Sequence, residues 1–178
     1  AINITTGKKP KIGFMFTGQG SQYACMGKEL YQSSKVFRKA VDKVGEAMQD
    51  HLDMPLFNVL FDENADYLRD TKYAQPAIFD IEYGLYKYWF SLGVTPHAVM
   101  GHSIGEYAAA CAADVMPLQT AARLICLRGA LCSSLPAGGG MTAFFADRKS
   151  LEKLINKNSF KDLDIAAING PEHTVLAG

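Results

Sequence analysis

The chain has no surplus of charge of either sign: 18 basic side chains stand against 18 acidic ones, a formal net charge of zero, so it carries no electrostatic footprint for nucleic acid. No uninterrupted apolar run approaches the length that spans a bilayer, and residues 1–11 lack the apolar stretch of a secretory signal. Neither a membrane partner nor export is expected, and the chain is assigned to the cytoplasm. The four cysteines, Cys25, Cys111, Cys126 and Cys132, form no Cys-x-x-Cys pair, and the four histidines, His51, His97, His102 and His173, fall in no ligand-spaced cluster with them. That argues against zinc and for reduced, mostly buried thiols, so no metal is expected. There is no internal repeat and no low-complexity tract. An opening methionine is missing too; the chain starts at Ala1, and the expectation is a processed chain or one cut from something longer.

What the chain does have is a serine set between glycines, Gly101-His102-Ser103-Ile104-Gly105. Residues 96–100 form a short apolar run of strand length, and residues 105–113 an alanine-rich helix. This is the setting of a nucleophile elbow. A sharp strand-to-helix turn strains the serine backbone and presents its hydroxyl, while glycines two positions to either side let neighbouring backbones approach. The positive end of the helix dipole then lies beneath any negative charge that forms at Ser103, which suits acyl transfer through an oxyanion. Serines flanked by glycine also occur in plain surface turns; the strand before this one and the small-residue helix after it favour the catalytic reading.

At 178 residues, with 48% hydrophobic and 20% charged side chains, the chain can bury one substantial core. A first strand is expected at Lys11–Phe16. Helices follow at Lys28–Tyr31, Ser34–Gln49 and Leu56–Leu60, the middle one with Val36, Phe37, Ala40, Val41 and Val44 as its apolar stripe. A short turn is expected at Asp66–Arg69, then a long helix that Gln75-Pro76 opens and Gly93 ends, with Pro76 in its first turn. After the elbow, Leu118–Ser134 reads as a helix packed on a sheet through Ala121, Leu124, Ile125 and Leu131. The run Pro136-Ala137-Gly138-Gly139-Gly140 breaks the composition and sets a boundary. Beyond it, strand, helix, strand, strand (141–146, 149–157, 163–169, 173–177) suggests part of a ferredoxin-like split β-α-β unit, its last strand an exposed edge.

A second motif, Phe16-Thr17-Gly18-Gln19-Gly20-Ser21-Gln22, follows the first strand. It is not a phosphate loop, since no Gly-Lys-Ser/Thr follows, and the dinucleotide spacing fails because Tyr23 stands where a glycine is needed. Taken with the elbow, with Tyr73-Ala74-Gln75-Pro76-Ala77, with Leu127-Arg128-Gly129 and with Ala166-Ala167-Ile168-Asn169-Gly170-Pro171, it resembles the malonyl-CoA:acyl carrier protein transacylase family, most closely the acyltransferase domains of modular polyketide synthases, from Lys11 to Gly178.

The resemblance implies an α/β fold, with residues 1–136 the amino-terminal part of an α/β-hydrolase-like subdomain and 137–178 an incomplete ferredoxin-like one, the active site lying between them. It implies that Ser103 takes an acyl group from a CoA thioester and passes it to the phosphopantetheine thiol of an acyl carrier protein, in polyketide, antibiotic or fatty acid biosynthesis, with no cofactor bound to the chain itself. The backbone N–H groups of Gln19 and Ile104 would bind the oxyanion, Arg128 would grip the free carboxylate of malonyl-CoA, Gln75 would line the pocket, and His102 would orient locally. A branched residue at Ile104 and the Tyr73–Ala77 motif look malonyl-type. The family's catalytic histidine lies beyond Gly178, so the remaining carboxy-terminal part and neighbouring synthase domains are expected partners. A serine hydrolase or thioesterase using the same elbow, and a non-catalytic fragment, stay open as alternatives.

Overall fold

The computed structural model describes residues 10–158 and 160–178. Contacts divide the chain into two compact units, Ala1–Ser134 and Leu135–Gly178.

In the first unit, strand β1 (Gly13–Phe16) pairs in parallel with β2 (Ala98–Gly101), Met15 opposite Met100 and Phe16 opposite Gly101. Alternation decides the faces: Phe14, Phe16 and Val99 join the core while Met15 and Met100 point outward. Between the strands run α1 (Lys28–Ser33), α2 (Lys35–Met48), α3 (Leu56–Leu60), a short 3-10 turn at Tyr67–Arg69 and the long α4 (Thr71–Ser91); α5 (Gly105–Ala112) and α6 (Leu118–Ser133) follow β2. Ser34 caps α2, its hydroxyl accepting from the N–H of Phe37. The buried stripe of α2 is Phe37, Ala40, Val41, Val44 and Met48. Val36, expected within it, is exposed because it falls one position off the helical period.

Two expectations for the long helices are corrected. Helix α4 begins a turn before Gln75-Pro76, at Thr71, because the Asp70 carboxylate accepts from the N–H of Lys72 and caps it there. Pro76 therefore sits inside the helix, where its missing N–H leaves the Lys72 carbonyl without its usual partner. Helix α6 crosses at that point: a Cβ on Gly129 would stand 3.0 Å from the Lys72 oxygen and 3.1 Å from that of Thr71. The helix named as sheet-packed thus has α4, α2 and α5 as its main neighbours. It buries Ala121, Ala122, Ile125 and Cys126 and leaves Leu124 and Leu131 exposed, since its narrow small-residue stripe is what fits against another helix.

The second unit holds β3 (Met141–Phe144), α7 (Arg148–Asn158), β4 (Asp164–Gly170) and β5 (His173–Ala177). Its three-stranded sheet has the order β3-β5-β4, with β5 antiparallel to both neighbours. This is a split β-α-β arrangement. The last strand, expected at an edge, is the central one; α7 crosses over from β3 to β4 and leaves between them the gap that β5 fills. Thr174 on β5 is buried and donates to the carbonyl of Ala146. Among the described residues no helix is long and apolar enough to cross a membrane.

Candidate active site

Ser103 sits where β2 turns into α5, with φ at 53°, in the left-handed region that a serine enters at a cost of about 1–2 kcal/mol. Backbone proximity holds it there. The N–H of His102 donates to the carbonyl of Phe16 at 3.0 Å, prolonging the β1–β2 ladder, and the N–H of Gly105 returns to the His102 carbonyl at 3.0 Å. A Cβ on Gly105 would lie 2.5 Å from the carbonyl oxygens of Phe16 and Thr17, and one on Gly101 would collide with the backbone of Gly105 and Glu106. Only glycine fits either place, so the end of β1, the elbow and the start of α5 are wedged together. Ser103 is exposed, whereas the side chain of Ile104, at the N-cap of α5, is 1% exposed and belongs to the hydrophobic core. The Gly18 backbone lies against His102, close to its ring Nδ1.

Two of the other predicted side chains, Arg128 and Gln75, meet at this turn, together with the side chain of Gln19, a residue expected to act through its backbone N–H. Arg128, on α6, donates from Nη2 to the Ser103 hydroxyl at 3.2 Å and from Nη1 to Gln75 Oε1 at 2.6 Å. Gln75, 2% exposed on α4, donates from Nε2 to Thr71 Oγ1 at 2.9 Å and, more weakly, to Gln19 Oε1 at 3.4 Å. The Thr71 hydroxyl in turn donates to Gln19 Oε1 at 2.7 Å. Protons in this chain have one direction, from Arg128 through Gln75 and Thr71 to Gln19, because a guanidinium has donors only. The α4–α6 crossing at Gly129 is what places Arg128, one residue earlier, beside Gln75. Of the other histidines, His97 accepts the N–H of Ile12 on Nδ1 at 3.2 Å, and the His173 ring packs on Phe145.

Thr71 and Glu82 escaped the sequence reading. Glu82 Oε1, on the buried face of α4, accepts from both the N–H and the hydroxyl of Thr17. Burial raises its pKa to about 7, against the lowering effect of those Thr17 bonds. Asp80, on the same helix, is fully buried with neither carboxylate oxygen hydrogen-bonded, and burial pushes its pKa well up. A carboxylate inside the apolar run 77–83 is the signal that could have flagged Glu82. The cysteines offer no rival nucleophile in the core: burial pushes the Cys111 thiol up to about 11 and Cys126 to about 12. Among the described residues no group of three or more His, Cys, Asp and Glu side chains is placed to hold a metal ion.

A strained serine at a strand-to-helix turn, a cation bonded to its hydroxyl and a glycine-rich loop packed behind it form an arrangement whose geometry suits acyl transfer. The pattern of the family described as "Acyl transferase domain" matches residues 13–178, and the chain belongs to that family. It is 42% identical over 168 residues to mycoketide-CoA synthase of Mycobacterium tuberculosis, covering 94% of this chain and 4% of that protein. The fold superposes on the acyltransferase domain from the second module of the salinomycin polyketide synthase with a TM-score of 0.88 at 40% identity, covering 96% of this chain and 39% of that one. Against the acyl-carrier-protein-S-malonyltransferase of Bartonella henselae the TM-score is 0.81 at 33% identity, covering 95% and 55%. The α/β fold with two subdomains is the one these acyltransferases share. The chain spans a tenth or less of the curated relatives it matches first.

Proposed function

We propose that this chain is part of a polyketide synthase acyltransferase domain that loads malonyl from malonyl-CoA onto Ser103 and hands it to the phosphopantetheine thiol of an acyl carrier protein in the cytoplasm. Residues 1–136 are then the amino-terminal portion of the larger subdomain and 137–178 belong to the smaller. The observation that carries the reading is the Arg128 guanidinium, bonded at once to the Ser103 hydroxyl and to buried Gln75. Once Ser103 is acylated its oxygen becomes an ester oxygen and a weaker acceptor. The free carboxylate of a malonyl ester, two bonds beyond the ester carbon, then comes within reach of the guanidinium fork that Gln75 steadies.

The chemistry follows from the roles. The serine oxygen attacks the thioester carbonyl, its proton passes to a base, and the carbonyl oxygen becomes an oxyanion received by the N–H groups of Gln19 and Ile104. Collapse of the adduct expels CoA thiolate, and the carrier thiol repeats the sequence on the acyl-serine. Arg128 cannot be the base, since a guanidinium accepts no proton. We assign that role to a histidine in the remainder of the domain, outside residues 1–178. His102 and Gln75 orient the serine turn and the arginine.

The test is the fate of the acyl group when the full-length protein is given radiolabelled malonyl-CoA. A labelled protein that discharges only to carrier protein supports transfer. Steady release of free malonate without carrier supports a hydrolase, and absence of labelling would leave neither enzyme reading standing.

A further inference from the structure

We propose that Glu82 is a positioning residue for the glycine-rich loop, fixing where the N–H of Gln19 stands by holding Thr17 through both backbone and hydroxyl. The inference rests on the acyl-serine reading above. Glu82 belongs to α4 and lies 65 residues from Thr17 in sequence, and its Oε1 takes the Thr17 N–H at 2.5 Å and the Thr17 hydroxyl at 2.9 Å. Thr17 Oγ1 stands 3.0 Å from Ser21 Oγ, which donates to the carbonyl of Gly18 at 3.1 Å. The peptide unit whose oxygen is thereby tied is the one whose nitrogen belongs to Gln19. In a planar trans peptide the C=O and N–H point in opposite directions, so anchoring one aims the other.

Proton counting links the buried carboxylate to that anchor. Each hydroxyl has a single proton. A Thr17 hydroxyl committed to Glu82 presents only lone pairs to Ser21, so the Ser21 proton serves the Gly18 carbonyl and Thr17 Oγ1. Without an acceptor at residue 82, the Thr17 N–H and hydroxyl lose the one oxygen that fixes both, and Ser21 and the Gly18 carbonyl are no longer tied through Thr17 to α4. Glu82 is 8% exposed, and its Oε2 has no hydrogen-bond partner. Burial of a carboxylate at this cost is accounted for by what Oε1 holds. Unlike the groups that contact substrate, Glu82 acts through Thr17 and the loop.

The experiment uses the full-length protein and single-turnover acylation by malonyl-CoA, with circular dichroism on every variant. Glu82→Leu is expected to slow acylation about 100-fold, the scale of a lost oxyanion donor, with the concentration for half-maximal rate within about 2-fold of wild type. Glu82→Gln, whose amide oxygen still accepts from Thr17, is expected to restore the rate to within about 5-fold. A Glu82→Leu protein at wild-type rate, one whose loss is all in affinity, or Gln as damaging as Leu would each overturn the proposal. If Glu82→Leu does not fold, Thr17→Val, at the exposed end of the pair, decides: slower acylation at unchanged affinity supports the proposal and wild-type behaviour refutes it. Ser103→Ala in the same assay separates the two layers. Persistent labelling there sinks the acyl-serine reading itself, whereas lost labelling with unaffected Glu82 variants sinks only the role of Glu82.

Discussion

Arg128 has two partners of different kinds, one a buried amide and one an exposed hydroxyl, and its energetic role follows from the difference. Gln75 is 2% exposed and spends its carbonyl oxygen on Nη1, which leaves the remaining donors of the fork aimed at the serine side. A charge-assisted pair of this kind contributes about 1.5–3 kcal/mol, so Arg128→Ala should cut malonyl transfer roughly 10- to 100-fold while sparing or improving acetyl transfer. Parallel initial-rate assays on the two CoA thioesters check it, and an equal loss on both would remove the carboxylate role. Ser103 carries a separate signature in stability. Its φ of 53° disfavours any residue with a Cβ, so Ser103→Gly should unfold at higher urea than Ser103→Ala, by about 1 kcal/mol. Equal midpoints would mean that the turn is unstrained. The serine and its glycines were legible from the chain because the elbow is local and each requirement falls within five residues. The Gln75–Arg128 bond and the Thr71 link were not, because partners 53 and 52 residues apart meet only through the angle at which two helices cross.

Helix α4 carries more of the site than any other element, bringing Thr71 and Gln75 to the arginine and Glu82 to the glycine-rich loop. Its proline was read from the chain as an opening residue. The Asp70 cap overrides that by starting the helix a turn earlier, and the close approach of Gly129 accommodates the consequence. For α6, apolar periodicity alone could not tell a helix neighbour from a sheet neighbour. The alanines, Gly129 and Cys126 of its buried stripe, small enough for close helix contact, were the better guide. Burial of Glu82 also makes the element sensitive to pH. Its carboxyl titrates at about 7 in the folded chain against 4.5 for an unhindered one. Between those values the folded state holds the extra proton, so stability from this group is complete below about 4.5 and is lost as pH rises through 7. Tyr86 lines the same cavity as Glu82 and, its pKa raised by burial, stays neutral across that window. Urea unfolding of wild type minus Glu82→Gln should therefore fall by on the order of 3 kcal/mol from pH 4.5 to 8. Parallel curves would show that Glu82 is solvated.

At the scale of the molecule, the chain supplies a parallel strand pair, the serine turn and the Arg128–Gln75 pair in one unit, and a split β-α-β sheet in the other. The order of secondary elements was readable from hydrophobic rhythm throughout. The placing of β5 between β3 and β4 was not, since strand order is a property of pairing and leaves no trace in any one strand's pattern. The claim on which the account depends is that the hydroxyl of Ser103 carries the acyl group beside Arg128. Peptide mapping by mass spectrometry of the full-length protein, quenched after brief exposure to malonyl-CoA, tests it directly. The account predicts one malonyl adduct, on the peptide containing Ser103 and absent from Ser103→Ala. An adduct on any other residue, or the same adduct persisting in Ser103→Ala, would contradict it.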